Sequence, residues 1–102
     1  MAIADITIIP IGTQNPSVSD FVVEIHKKLE KFKDKIKVQL TPMSTLIEGD
    51  LDDLFEVIKA IHEIPFSKGA QRVATNIRID DRRDKPLNME EKVNKVQSKM
   101  HK

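Results

Sequence analysis

Three histidines carry the most versatile side-chain chemistry in the sequence, but their spacing argues against a metal or catalytic site. His26 and His62 lie in helical patterns flanked by Lys or Glu, and His101 lies next to the last residue. No His-x-x-x-His pair and no cluster of carboxylates accompanies them, whereas a metal site needs several converging ligands. We therefore expect solvated histidines, no metal and no cofactor.

The other groups that could act in catalysis are better explained as structural. Ser17 and Ser19 have no histidine within local reach and stand where a helix is expected to begin, so they predict caps of the helix N-terminus. The Asp52–Asp53 and Asp80–Asp81 pairs are adjacent in sequence, and adjacent residues on a helix or strand point in different directions. The sequence also contains no cysteine. We therefore expect a protein that is not an enzyme.

Two polar groups near a turn could instead bind a small molecule. Thr45 and Glu48 precede Gly49 and supply a hydroxyl and a carboxylate, which can hydrogen bond to a polar ligand. The alternative is that Glu48 is only a turn residue and Thr45 an ordinary strand residue. Both interpretations remain open at this point.

Two arginines on the predicted strand at residues 72–80 are further candidates for ligand binding. Arg72 and Arg78 lie on one face of this strand and could bind a phosphate. They could equally pair with Asp5 and Asp80 across neighbouring strands, at an interface or on the surface. Ion pairing is the interpretation that we favour.

The size and charge of the chain limit what these groups can do. The 102 residues are enough for one domain, 1–102, and the 17 Lys+Arg against 16 Asp+Glu leave a formal net charge of +1. No field exists to attract nucleic acid or an anionic membrane, and no apolar run approaches the length of a membrane span. We expect a cytoplasmic protein without a signal peptide. The Lys, Glu and Ile content, with no Cys or Trp, also hints at a thermophile.

Hydrophobic periodicity predicts the elements that position these residues. Alternation of apolar and polar residues predicts strands at 36–40 and 72–80, and β-prone composition predicts strands at 3–9 and 44–48. The strands at 36–40 and 44–48 are expected to pair as a hairpin. Three-to-four spacing predicts helices at 18–32, 51–64 and 89–100. Asp50 and Asn88 are expected to cap the second and third helices. The strands and helices are expected to bury one apolar face each: Ile36, Val38 and Leu40; Val73, Thr75, Ile77 and Ile79; Val18, Phe21, Val22, Ile25, Leu29 and Phe32; Leu51, Leu54, Phe55, Ile58 and Ile61; and, as a narrow stripe of the C-terminal helix, Met89, Val93, Val96 and Met100.

The order of these elements predicts the fold class. It is an α+β, ferredoxin-like βαββαβ sandwich with an additional C-terminal helix, in which both crossover helices cover one face of the sheet and leave the other face open. RNA-recognition modules share this order, but they stack bases on aromatic residues of the sheet. This chain has no Tyr or Trp, and its four Phe residues lie in or just after the helices. RNA binding is therefore not expected.

Three separated blocks resemble the small thiamine-binding, YkoF-like family. They are residues 8–12 with 17–19, residues 41–49, and residues 72–82, and the resemblance extends over roughly residues 5–100. It implies a ferredoxin-like subunit, assembled into dimers and tetramers, that binds thiamine or its hydroxymethylpyrimidine part without a known reaction. Ser44 stands where the family often has a glycine, which puts the local loop rather than the fold in doubt.

The resemblance gives the two polar groups near Gly49 a specific ligand. An aminopyrimidine carries an amine beside ring nitrogens, which Glu48 and Thr45 together could bind, while the ring would lie on Ile11, Leu46 or Ile47. The predicted ligand-binding residues are Gly12, Ser17, Ser44, Thr45, Ile47, Glu48, Asn76 and Arg78. The expected partners are this small molecule and further copies of the chain, which could pair through the second strand, with no nucleic acid or membrane. The alternative is a structural or regulatory oligomer that has no thiamine ligand.

Overall fold

The protein is described by a computed structural model that covers residues 1–12, 19–85 and 89–101. The predicted caps Ser17 and Asn88, and Val18 of the predicted helix face, lie outside these ranges. The elements in chain order are β1 Ala2–Pro10, α1 Ser19–Glu30, β2 Lys37–Leu40, β3 Thr45–Gly49, α2 Leu51–His62, α3 Ile64–Ser67, β4 Val73–Asp81 and α4 Met89–Met100.

The four strands form one antiparallel sheet in the order β2-β3-β1-β4. The central strand β1 pairs with β3 on one side and with β4 on the other, so Ala4 lies opposite both Ile47 and Ile79. Two helices, α1 and α2, connect strands that are not neighbours in the sheet. The α+β class is therefore confirmed, and the predicted hairpin between the second and third strands is present.

The core lies between one face of the sheet and the helices α1 and α2. Alternate residues of β1 point into it, because successive side chains of a strand point to opposite faces. The buried residues of this cluster are Ala2, Ala4, Ile6, Ile25, Leu29, Ile36, Ile47, Leu54, Val57, Ile58 and Ile61. The helix face of the sheet is thus apolar in its two central strands.

The two edge strands are more exposed than the sequence predicts. Val38 and Leu40 of β2 are 39% and 60% exposed, and Ile77 of β4 is 42% exposed, although all three were expected to be buried. Each has only one neighbouring strand, so its side chains have fewer atoms to pack against. The prediction of half-buried edge strands was therefore wrong for these residues, whereas Ile36, just before β2, is buried.

The second crossover helix also differs from its prediction, since Asp50 stands at its N-cap but makes no side-chain capping hydrogen bond. It ends at His62, and Pro65 lies in the first turn of the short helix α3 instead of ending α2. A proline is tolerated there because the first N–H groups of a helix have no intrahelical acceptor. Phe55 is 51% exposed, so its expected place in the core was wrong, and the buried residue is instead Val57.

The C-terminal helix α4 covers one end of the sheet face opposite α1 and α2. Lys92 of α4 pairs with Asp80, and Asp80 lies opposite Ile3 on that second face. Met89 is buried, but the rest of the predicted apolar stripe, Val93, Val96 and Met100, is exposed. The second face is therefore covered in part, and not left fully open as expected.

Candidate functional site

A pocket opens on the helix face of the sheet, between α1 and the β2–β3 hairpin. Its volume is about 450 Å³. The walls are residues 6–9 of β1, Phe21, Val22 and Ile25 of α1, residues 40–45 of the hairpin, and Ile61 of α2. We call it the hairpin pocket.

The pocket is lined by the end of β2 and the turn that follows it. β2 has four residues and ends at Leu40, and residues 40–45 form the hairpin wall of the pocket. Phe21 and Ile25 lie one helical turn apart and line the opposite wall together with Val22. Ile6 of β1 forms its floor, since it points to the helix face of the sheet. The walls are therefore mostly apolar and include one aromatic ring.

The rim of the pocket is a closed turn. Thr41 Oγ1 donates to Ser44 O at 2.8 Å and accepts from Ser44 N at 3.0 Å, and Thr41 N donates to Ser44 O at 2.9 Å. Met43 N also donates to Thr41 Oγ1, at 3.3 Å. The turn therefore occupies the Thr41 hydroxyl, and the hydroxyls of Ser44 and Thr45 are the rim groups that can serve a ligand.

His26 of α1 forms a hydrogen bond with Thr45. His26 Nε2 and Thr45 Oγ1 share a hydrogen bond of 3.2 Å, and both residues are half-buried. A similar pair lies elsewhere on the helix face, where His62 Nδ1 and Thr75 Oγ1 are 2.6 Å apart and the His62 ring meets the Phe66 ring edge-on at 5.5 Å. The expectation that His26 and His62 are solvated was therefore wrong.

The described walls of the hairpin pocket are electrically neutral. Threonine and serine hydroxyls are their polar side-chain groups, and no lining residue that the structure describes carries a formal charge. Within residues 1–12, 19–85 and 89–101, no group of three or more His, Asp or Glu side chains could hold a metal ion. Such walls suit the uncharged part of a small ligand, because an unpaired charge is costly to bury.

Glu48 lies on the other side of the sheet from this pocket. Its side chain is 2% exposed, and its Oε2 accepts a hydrogen bond of 2.7 Å from Met89 N at the start of α4. Thr45 and Glu48 are three residues apart on β3, so they point to opposite faces. The expectation that these two side chains converge on one ligand was therefore wrong.

The remaining predicted residues are spread over the subunit. Ile47 is fully buried in the core. Asn76 and Arg78 are exposed on the second face of the sheet, and Gly12 is exposed after β1 with a φ of 74°. Ser17 lies outside the described residues. Of the predicted ligand-binding residues that the structure describes, Ser44 and Thr45 line the hairpin pocket.

The apolar residues expected beneath a pyrimidine ring are also placed elsewhere. Leu46 follows Thr45 on β3 and therefore points to the second face, opposite Asp5. Ile11 is exposed beyond the end of β1. Phe21 and Ile25 line the pocket instead, and Ile25 also belongs to the core cluster, as its place on the predicted core face of α1 indicates. The helical spacing of these two residues was visible, but it does not distinguish a core from a pocket wall.

The arginines of β4 and its C-terminal extension are engaged in exposed ion pairs. Arg78 donates to Asp5 across the strands at 2.7 Å, which confirms the pairing predicted for it. Arg83 donates to Asp81, and this hydrogen bond holds the pKa of the Asp81 carboxyl below its usual value. Asp84 has a lowered pKa for the same reason, through a bidentate contact with Arg82. These pairs lie outside the pocket and provide no anion site within it.

Comparison with known proteins identifies the family of this chain. The family model described as "Thiamine-binding protein" matches residues 4–97. The chain is 65% identical over 98 residues to the UPF0045 protein YqgV of Bacillus subtilis, with 94% of each chain covered. It is 64% identical over 99 residues to a UPF0045 protein of Staphylococcus xylosus, covering 95% of this chain and 92% of that protein.

Solved structures show the same fold. The hypothetical protein MJ1052 of Methanocaldococcus jannaschii is 33% identical and superposes with a TM-score of 0.76 over 94% of this chain and 95% of that chain. A Thermotoga maritima protein, described as a candidate thiamine biosynthesis or salvage protein, is 19% identical with a TM-score of 0.76, covering 93% and 97% of the two chains. At that identity the likeness concerns the fold alone. No helix in the described ranges is long and apolar enough to cross a membrane.

Proposed function

The chain belongs to the family of thiamine-binding proteins, and on this basis we propose that its hairpin pocket binds thiamine or a related pyrimidine without catalysing a reaction. The observation that carries this proposal is the pocket itself. Its volume of about 450 Å³ lies within the range of small-molecule sites, roughly 300–1,000 Å³. The subunit is a ferredoxin-like fold with an added C-terminal helix, and it works as part of a homo-oligomer.

The chemistry of the walls supports a flat, uncharged ring. Phe21 supplies an aromatic surface, and Ile6 and Ile25 add aliphatic contact area. The hydroxyls of Ser44 and Thr45 lie at the rim, where they can bond an amine or a ring nitrogen. A pyrimidine satisfies both requirements, since its faces are apolar and its edge is polar.

The proposed site keeps part of the set predicted from sequence. Ser44 and Thr45 remain in it, whereas Ile47 and Glu48 are too deeply buried to touch a ligand in this pocket. A cationic or phosphorylated portion of a ligand would extend from the mouth of the pocket toward solvent, beside the exposed Met43. We expect modest affinity, because few polar groups converge on the ring.

An oligomer without a thiamine ligand is the second candidate, and α4 is the observation that favours it. Val93, Val96 and Met100 form an exposed apolar stripe that continues from the buried Met89. Isolated helices of this length are marginal in water, so a helix with an exposed stripe gains from packing against another surface. Self-association is compatible with ligand binding, so the two candidates differ in whether a thiamine-type molecule binds at all.

Calorimetric titration and thermal unfolding test the proposal directly. Thiamine, hydroxymethylpyrimidine and thiamine diphosphate serve as probes. A bound probe at 100 times its Kd stabilises the folded state by about 2.7 kcal/mol, which raises Tm by roughly 10–20 °C for a domain of this size. If no probe produces binding heat or a change in Tm, the proposed function is wrong and the second candidate, an oligomer that binds no thiamine-type molecule, is favoured.

A matched pair of variants locates the site. Val22→Phe adds a ring inside the hairpin pocket and should abolish binding, because Val22 lines it. Val23→Phe adds the same ring at the next residue, which is exposed outside the pocket walls, and should bind as the parent does. Equal binding by both variants would place the ligand elsewhere on the protein.

A further inference from the structure

The Thr45 hydroxyl lies in the wall of the hairpin pocket and forms a hydrogen bond with His26, a residue that does not line the pocket. Thr45 lines the pocket, and its Oγ1 lies 3.2 Å from Nε2 of His26. His26 follows Ile25 on α1. Ile25 lines the pocket, whereas His26 contacts Thr45 from outside the pocket walls. Both members of the pair are half-buried, so water competes weakly for their hydrogen bond.

The bonding capacity of a hydroxyl determines what this pair can do. A threonine hydroxyl has one donor hydrogen and two acceptor lone pairs, and the bond to His26 uses one of these three. That bond restricts the rotation of the hydroxyl and leaves two of its three bonding positions for a ligand. Thr41 differs, since its hydroxyl is already used by the rim turn as both donor and acceptor. Thr45 is therefore both oriented and available.

We propose that His26 is a positioning residue that orients the Thr45 hydroxyl toward a ligand in the hairpin pocket. This inference rests on the proposed function and deepens it. If Nε2 of His26 accepts, Thr45 donates to it and offers its lone pairs to an amine of the ligand. If Nε2 donates, Thr45 offers its hydrogen to a ring nitrogen. The ligand class is thus an uncharged heterocycle that carries an amine beside a ring nitrogen, because such an edge matches either arrangement.

A double-mutant cycle tests whether His26 acts through Thr45. Hydroxymethylpyrimidine is the probe, and its Kd is measured by calorimetry for the parent, Thr45→Val, His26→Phe and the double variant. Loss of one neutral hydrogen bond should weaken binding about two- to tenfold in each single variant. The double variant should bind no more weakly than Thr45→Val alone, since His26 then has no hydroxyl to orient.

Conservative variants and a matched pair elsewhere separate positioning from stability. Thr45→Ser keeps the hydroxyl and His26→Gln keeps a hydrogen-bonding side chain, so both should recover most of the affinity. His62→Phe removes the similar contact to Thr75, which is not part of the described pocket walls. It should lower the Tm but leave the Kd for the probe unchanged.

The outcomes distinguish this inference from the function on which it rests. If the parent binds no probe, both fail. If the parent binds and neither His26→Phe nor Thr45→Val weakens binding, the pocket works without this pair and the inference alone is overturned. Additive losses in the double variant would likewise show that His26 does not act through Thr45. If a phenylalanine or valine variant does not fold, His26→Gln and Thr45→Ser decide the question, because a loss of more than tenfold in either contradicts the proposed orientation.

Discussion

Removal of the Glu48 carboxylate should release α4 without affecting the hairpin pocket. Glu48 is 2% exposed and its Oε2 accepts from Met89 N at 2.7 Å, so Glu48→Ala removes a hydrogen bond to a charged group and leaves a helix N–H unpaired. Such a bond contributes about 1.5–3 kcal/mol, and loss of a helix cap costs about 0.5–2 kcal/mol. Because the first turn carries the contacts that dock α4, we expect a loss of about 2 kcal/mol confined to that helix.

Hydrogen exchange resolved along the chain measures this loss. Amides of residues 89–101 should exchange about 30-fold faster in Glu48→Ala, while those of β1 and β3 keep their protection. Glu48→Gln retains an acceptor oxygen and should cost less, about 0.3–1 kcal/mol for the charge removed from the helix N-terminus. Glu90→Gln is the control, since Glu90 is an acid of the same turn whose side chain is 73% exposed and whose contact with Lys37 of β2 is long, at 4.0 Å, so its loss should have little effect.

The result that would refute this reasoning is specific. Unchanged exchange of α4 in Glu48→Ala would show that the contact with Met89 does not hold the helix. A second result would be more informative: if Glu48→Gln weakened binding of hydroxymethylpyrimidine while α4 stayed protected, Glu48 would be a ligand-binding residue, as the sequence had predicted. We expect the Kd of Glu48→Gln for hydroxymethylpyrimidine to equal that of the parent, because the Glu48 side chain points to the face of β3 opposite the pocket.

Two further predictions concern packing and pH. Gly49→Ala should destabilise the fold by about 1–3 kcal/mol in urea denaturation, because its Cβ would lie 3.0 Å from Lys35 O and 3.1 Å from Ile36 Cγ2; a variant as stable as the parent would mean that this loop yields freely. In a carboxyl-detected NMR titration, the pKa of Asp81 should lie below that of an ordinary aspartate, because Asp81 accepts a hydrogen bond from Arg83. The stability that this pair adds is present above the ordinary aspartate pKa and is lost as the pH falls through the lowered pKa. Arg83→Gln should return the pKa toward its ordinary value, and an unchanged pKa in that variant would contradict this cause.

Local patterns in the sequence were sufficient for the order of the elements. The alternation along residues 36–40 and the β-prone composition of residues 44–48 are properties of each segment alone, and they correctly indicated β2 and β3. Such local patterns cannot show which strand lies at an edge, because that depends on the pairing of distant segments. The exposure of Leu40 and Ile77 therefore could not be predicted from their own segments.

The candidate site was predicted less well, for two different reasons. The opposite directions of Thr45 and Glu48 follow from their odd spacing on a strand, so this error could have been avoided from the sequence. The partner of Glu48 could not be found in that way, since Met89 lies 41 residues further along the chain. His26 was missed because only the tertiary packing of α1 on the hairpin brings it to Thr45.

The two faces of β3 serve the two proposed properties of the protein, which are ligand binding and self-association. The side chains of β3 alternate, so Thr45 faces the hairpin pocket while Glu48, on the opposite face, holds the start of α4. A ligand in the pocket and a partner on the exposed stripe of α4 would therefore contact opposite faces of the same sheet. Substitutions on one face can be made without altering the contacts of the other. Val22→Phe should thus remove ligand binding and leave self-association intact, whereas Glu48→Ala should weaken the docking of α4 and leave binding intact.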